Sequence, residues 1–166
     1  MRWQTDHFIA KFLQDHGFFE KVLEVGSRSL QVAGTLKHFF KGSGYVGLDM
    51  IKGDNVDIVL NAHDIKQHFK ENSFDLVICF DTLEHDDKFW ITLENMKWVL
   101  KPGGYLVIGV PSRRCPLHEF PKDYWRFMPE SAKAMMWDMM DIQTQVDIDE
   151  NTQMEDEVYF YARKPL

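Results

Sequence analysis

The sequence predicts an α/β fold, a doubly wound and mostly parallel seven-stranded sheet that closes in a C-terminal antiparallel hairpin. Three observations carry this expectation. Short apolar runs alternate with segments of helical period along the chain, and glycine or acidic residues punctuate them. The run Phe74-Asp75-Leu76-Val77-Ile78-Cys79-Phe80 is nearly all apolar, as a strand covered on both faces requires. Residues 142–148 and 158–163 instead alternate apolar and polar side chains, the pattern of a half-exposed hairpin.

Taken in order, residues 5–16 place Phe8, Ile9, Phe12 and Leu13 at helical spacing and end at Gly17. Lys21–Val25 reads as the first strand, with Gly26 marking its end. A helix is expected over residues 29–40, carrying Leu30, Ala33, Leu36 and Phe40 and stopped by Gly42-Ser43-Gly44. The second strand covers residues 45–48 and ends at Asp49, the third covers 56–60, and the fourth is the apolar run. Residues 86–100 form a helix with Phe89, Leu93, Met96 and Leu100 on one face, Asp86 or Asp87 as N-cap, and Lys101-Pro102-Gly103-Gly104 as terminator. A fifth strand over 105–110, a loop rich in charge and aromatics, and a helix over 129–140 lead to the hairpin. Residues 1–166 are read as a single domain, with the helix in residues 1–20 packing on the sheet.

One connection is unusual. Only residues 50–55 join the second and third strands, too few for a crossover helix. One sheet face near that edge is therefore expected to lack its covering helix. The N-terminal helix, or a second copy of the chain in a homodimer, is expected to cover it.

Composition narrows the function. The chain has 166 residues, 45% of them hydrophobic, which supports a packed core and argues against disorder. No apolar run approaches the roughly 18 residues of a membrane span, and the first residues lack the pattern of a secretion signal. Cys79 and Cys115 make no disulfide framework, so a cytoplasmic location with reduced thiols is expected. Cys115 and His118 lack metal partners at useful spacing, and no metal site is expected. The formal charge of −7 argues against a nucleic-acid partner, because phosphate contacts need a basic face.

In open α/β sheets ligands bind beyond the carboxyl ends of the strands, where the strand order reverses. The residues there are Glu24, Gly26, Ser27 and Arg28; Asp49; Asn61-Ala62-His63-Asp64; Phe80-Asp81-Thr82-Leu83-Glu84-His85; and Pro111-Ser112-Arg113. An acid about 23 residues beyond Gly26 suits the two hydroxyls of a ribose. The run Gly26-Ser27-Arg28-Ser29-Leu30-Gln31 has one glycine, where a pyrophosphate needs three. A nucleoside ligand without phosphates fits better.

On these residues the chain resembles the class I S-adenosylmethionine-dependent methyltransferases, in particular the small-molecule type 11 group. The matching stretches, in order, are Val22-Leu23-Glu24-Val25-Gly26-Ser27, Tyr45-Val46-Gly47-Leu48-Asp49, Phe74 to Ile78 with Leu83-Glu84-His85, Val99 to Gly104, and His118 to Phe127. The resemblance implies a Rossmann-like fold, S-adenosyl-L-methionine as cofactor and a small-molecule acceptor. It implies that Glu24 and the Gly26-Ser27 turn hold the methionine end, and that Asp49 bonds the ribose, with Met50 against the adenine. Ala62, His63 and Asp64 would read the adenine edge, and Phe80 and Asp81 would lie along the methionine. The second glycine of the family's loop is lost in Ser27-Arg28-Ser29.

A hydroxyl acceptor benefits from a base that takes its proton. His118 is the first candidate, beside Glu119 and Asp123, and His85 is the second. Arg113, Tyr124, Trp125 and Arg126 suit binding of an acceptor with an anionic group, such as a sugar, nucleotide-sugar or glycan. The plainer reading is that Tyr124-Trp125-Arg126 only anchors its loop. The rival to an active enzyme is a methyltransferase-like scaffold that binds cofactor weakly.

Overall fold

The computed structural model describes residues 3–29, 35–118, 122–148 and 155–166. Helix α1 (Trp3–His16) ends at Gly17, whose φ of +83° lets its N–H close on the Leu13 carbonyl. Strand β1 (Lys21–Val25) follows, then a 3₁₀ helix at Leu36–Phe40 and strands β2 (Gly44–Asp49) and β3 (Ile58–Val59). A 3₁₀ turn at Ala62–Asp64 runs into α2 (Ile65–His68), then β4 (Phe74–Phe80) and a 3₁₀ turn at Leu83–His85. Helix α3 (Phe89–Val99), β5 (Leu100–Pro111), α4 (Ser131–Met135), β6 (Met140–Ile148) and β7 (Glu155–Arg163) complete the chain.

The seven strands form one sheet in the order β3-β2-β1-β4-β5-β7-β6. The first five are parallel, and β7 runs antiparallel to both β5 and β6. The fold class is the one the sequence predicts. Helices α2, α3 and α4 cover one face through Ile65, Leu93, Met96, Ala132 and Met135, packed on Leu23, Val77, Ile108 and Phe160. On the other face α1 packs Phe8, Ile9 and Phe12 against Val22, Leu76, Ile78, Val107 and Tyr159. No helix among the described residues is long and apolar enough to cross a membrane.

Several elements differ from their expected bounds. The third strand keeps only Ile58 and Val59, because Asp57 turns its carboxylate to accept the Gly47 N–H at 2.8 Å. Helix α3 starts three residues late, since Asp86 accepts the Lys88 N–H and the Thr92 hydroxyl in a turn ahead of it. Leu100 already pairs with Phe74, and Lys101 to Gly104 form an irregularity within β5 rather than a break before it. The helix expected over 129–140 shrinks to Ser131–Met135. Of the helix expected over 29–40, Leu30 and Ala33 lie outside the described residues. The part described is the 3₁₀ helix capped by Thr35, whose hydroxyl accepts the Lys37 N–H.

Helix α1 does not cover the β2–β3 edge. Its Phe8 stacks on Tyr159 at 4.7 Å, and Phe12 meets Tyr105 and Tyr161 edge-on, all on β5 and β7. Near the edge, Phe40 stacks on Tyr45 instead. Val59, 55% exposed, stays open to solvent. A two-residue strand buries too little apolar surface to demand a cover.

The turn after β1 is tied to the β2–β3 connection by a polar network. Asn55, at φ +69°, donates from Nδ2 to the Ser27 carbonyl at 3.0 Å and the Tyr45 hydroxyl at 2.9 Å. Ser27 Oγ donates to the Asn55 carbonyl at 2.9 Å. Tyr45 in turn donates to the Glu24 carboxyl, which is only 4% exposed. Burial pushes Glu24 up to about 7, against the hydrogen bonds from Tyr45 and Asn55. Above this network Gly26 sits at φ +78°, and a Cβ there would lie 1.9 Å from Thr82 Oγ1.

Two outcomes follow from this region. Because the folded value of Glu24 exceeds its unfolded value of 4.5, its contribution to stability is full below 4.5 and lost as pH rises through about 7. Urea unfolding at about pH 5 and pH 8 should show the native chain losing about 2 kcal/mol more than Glu24→Gln over that window. Gly26→Ala combines a left-handed backbone with a clash on Thr82, and thermal melts should report a loss of about 2–4 kcal/mol.

Candidate active site

The strand order reverses between β1 and β4, and a cleft of about 690 Å³ opens there beyond the carboxyl ends of the strands. A smaller hollow of about 210 Å³, between α1 and the hairpin, holds none of the strand-end residues. The Gly26 turn forms one wall of the cleft. The N–H groups of Gly26 and Ser27 both donate to the Leu48 carbonyl, at 2.8 and 3.0 Å, which draws the turn onto the end of β2. Asp49 follows at that end. Its Oδ1 accepts the Ile51 N–H at 2.8 Å and its Oδ2 the Arg28 N–H at 3.3 Å. The Arg28 side chain also pairs with it, Nε lying 3.8 Å from Oδ1, and packs its methylenes on Gly53. Arg28, in the run where the second glycine is lost, therefore sits in the cleft wall beside Asp49.

Met50, Ile51, Leu60 and Ala62 give that end of the cleft an apolar lining. Asn95 holds the segment in place by donating to the Ala62 and His63 carbonyls, each at 2.8 Å. His63 turns its Nε2 to Asp86 at 2.9 Å. Asp81, directly after β4, lies in the left-handed region at φ +44°, uncommon for a residue with a side chain and a source of local strain. Asp86, Asp87, Thr82 and Thr92 complete this side.

The other end is built by the turn after β4 and the loop after β5. Glu84 is wholly buried, and its carbonyl accepts the Tyr124 N–H at 2.7 Å, which fastens the loop to the turn. His118 Nε2 lies 3.3 Å from Glu84 Oε1. Burial holds the Glu84 carboxyl above the ordinary carboxylate range. The hydrogen bond to Glu84 in turn holds the His118 imidazole above its own usual value, against partial burial. Asp123 accepts the His118 N–H at 3.0 Å and a two-pronged bond from Arg126, whose guanidinium keeps that carboxyl well below the usual range. His118 is thus fixed through its backbone as well as its ring.

Among the residues expected from the sequence, Gly26, Asp49, Met50, Ala62, His63, Asp81, His85, His118 and Tyr124 line one cleft. Glu24 and Ser27 lie beneath it in the Asn55 network. Asp64 accepts from Gln67 beside the cleft, and Phe80 packs on the α1 face. Trp125 donates its indole N–H to the Asp86 carbonyl and packs on Phe89. Arg126 bonds Asp123 and the carbonyls of Cys115, Pro116 and Trp125. Both residues hold the loop, and Arg113 is exposed outside the lining. Glu119 lies outside the described residues. Arg28, Asn61 and Thr82, named at the strand ends without a ligand role, also line the wall, and sequence reasoning missed Asp86 as a cleft residue. Asp86 carried the signature of a helix cap, which hid its place in the cleft.

Comparison with known proteins agrees with the fold. No curated protein matches the chain in sequence. Solved structures do match. The 1,6-didemethyltoxoflavin-N1-methyltransferase of Burkholderia thailandensis, with bound 1,6-didemethyltoxoflavin and S-adenosylhomocysteine, superposes with a TM-score of 0.75 at 16% identity, over 95% of this chain and 76% of that one. A SAM-dependent methyltransferase from Archaeoglobus fulgidus gives 0.74 at 15% identity, over 95% and 94%. The N-methyltransferase NodS from Bradyrhizobium japonicum, with S-adenosyl-L-homocysteine, gives 0.72 at 15% identity, over 98% and 87%. At such identities the likeness establishes the fold. The family's sequence pattern, that of the methyltransferase domain, matches residues 23–108, more than half of the chain. The chain belongs to this methyltransferase-domain family and is an S-adenosylmethionine-dependent methyltransferase.

Proposed function

We infer that the protein methylates a hydroxyl of a small polar acceptor, of the sugar or glycan class. The observation that carries this reading is the gathering of His118, His85 and Tyr124 in the same cleft as Asp49, with Glu84 buried behind the histidines. S-adenosylmethionine supplies an electrophilic methyl group on a sulfonium sulfur. The residues present suit it. Asp49 offers the ribose two oxygens already aimed by the Ile51 and Arg28 amides. Met50, Ile51, Leu60 and Ala62 provide the apolar surface for an adenine, and Asp81 a negative charge for the cationic methionine end.

In this reading His118 Nε2 takes the proton of the acceptor hydroxyl, and the Glu84 carboxyl beside it stabilises the imidazolium that results. His85 is the second candidate for the same step. Tyr124 offers its ring to the acceptor, while Trp125 and Arg126 hold the loop that carries it. Methyl transfer is an in-line displacement, so positioning the nucleophile and keeping water out supply much of the rate. An anionic substituent on the acceptor is poorly served. Arg126 is committed to Asp123 and three carbonyls, whereas Asp49, Asp81, Asp86 and Asp87 all line the cleft. An uncharged sugar hydroxyl is favoured over a nucleotide-sugar.

A weak or inactive scaffold is the second reading, and the pairing of Arg28 with Asp49 at the ribose position is what favours it. Calorimetry separates the two. Micromolar binding of S-adenosylmethionine, weakened about 10- to 100-fold by Asp49→Ala, supports the enzyme. No binding at millimolar cofactor supports the scaffold. His118→Asn should lower kcat by about 10²–10⁴ and leave cofactor affinity within about twofold. An unchanged kcat removes His118 from the proton step. Labelled methyl transfer to a panel of acceptors tests the substrate class, and transfer confined to amines or to uncharged aromatic rings overturns it.

A further inference from the structure

Three donor atoms, two from adjacent residues and one from 34 positions beyond the first, meet at the acceptor end of the cleft. Glu84 follows β4, fully buried, and its Oε2 has no hydrogen-bond partner among the described residues. His118 Nε2 stands 3.3 Å from Glu84 Oε1, and His85 Nε2 stands 3.6 Å from the same oxygen. One ligand atom of each of the three residues lies within 4.8 Å of the other two. The two imidazoles approach edge to face, their centroids 5.2 Å apart at 88°.

The outer nitrogens explain this convergence. His85 Nδ1 lies 2.6 Å from the Lys122 carbonyl, and His118 Nδ1 lies 3.2 Å from the Pro116 carbonyl. A carbonyl only accepts, so each ring carries a proton on Nδ1 and turns its Nε2 toward Glu84. Two Nε2 lone pairs and a buried carboxylate are all acceptors, and only protons or a cation can join them. Histidines that ligate metals are oriented in the same way, with the outer N–H fixed on a carbonyl or carboxylate. Ligands about 2.1 Å from a tetrahedral zinc lie roughly 3.4 Å apart. The two spacings to Glu84 bracket that value.

We propose that Glu84, His85 and His118 bind one zinc-class divalent cation through Oε1 and the two Nε2 atoms. Two neutral imidazoles with one carboxylate suit zinc or cobalt, whereas magnesium and calcium prefer oxygen ligands alone. Both histidines line the cleft, so the ligand position the protein leaves open faces it, within reach of an acceptor oxygen. The cation uses the same His118 lone pair that the proposed function gives to the base. Proton and cation are therefore alternatives at that atom. The binding itself depends on no part of the acceptor reading. Sequence spacing conceals the site, because Glu84 and His118 are 34 residues apart.

The test uses the full chain, freed of metal by a chelator and without cofactor. Zinc is titrated by calorimetry, and cobalt by its visible absorption. The expected result is one cation per chain at micromolar affinity, with the absorption of a tetrahedral cobalt centre. His85→Ala and His118→Ala should each weaken binding at least about tenfold. Both rings are partly exposed, so the variants keep the fold, which a thermal melt verifies. His38→Ala, on a ring that bonds the Thr35 carbonyl away from the cleft, should bind as the native chain does. No binding at millimolar zinc, or binding that neither cleft-histidine variant alters, overturns the site. Either of those results leaves the S-adenosylmethionine titration and the His118→Asn kinetics to judge methyl transfer on their own.

Discussion

The close approach of the Gly26 turn to Thr82 is the constraint on which the cleft depends. Strands β1 and β4 are neighbours in the sheet, and their carboxyl ends must both turn away without colliding. A residue with no Cβ at φ +78° allows this, and Thr82 occupies the space that a side chain would have taken. The same turn places two amides on the Leu48 carbonyl, which brings the ends of β1 and β2 together. Asp49 then stands beside the turn, aimed by the amides of Ile51 and Arg28. Below it, Asn55 fastens Ser27 to Tyr45 and replaces the rigidity that a crossover helix would have supplied at this edge.

The opposite end of the cleft is organised by charge rather than by packing. Asp123 and Arg126 form a shielded, two-pronged pair that clamps the loop after β5, and the Glu84 carbonyl receives two amides of that loop. Such a pair is rigid because its fork fixes both partners at once. It presents His118 to Glu84, a carboxyl that burial alone disfavours in its charged form. The pairing therefore concentrates proton affinity at one spot in the cleft wall, and Asp49, Asp81, Asp86 and Asp87 make the remainder of the lining acidic. A cationic methyl donor and an uncharged acceptor are the ligands such a surface favours.

The strand ends were readable from the sequence, and the contacts around them were not. Apolar runs and glycine stops located β1, β2 and β4 within a residue or two, because buried strands must be apolar and must end where backbone can turn. Boundaries failed where a side chain competed with the regular pattern. Asp57 shortened β3 by bonding Gly47, and Asp86 delayed α3 by bonding Lys88 and Thr92. Gly26, Asp49 and Ala62 carried positional signals and line the cleft. Trp125 and Arg126 have the chemistry of ligand binders, yet their donors go to backbone carbonyls and to Asp123.

By itself the sequence determined the fold class, the order of strands and helices, and the set of residues at the strand ends. These follow from local periodicity and from turn chemistry, both of which act over a few residues. Only the tertiary structure decided which of those residues share a wall. It put Arg28 on Asp49, sent Phe80 to the α1 face, and brought Glu84 to His118 across 34 positions. Burial and pairing of charge depend on what the whole chain places around a group, and no local pattern records that.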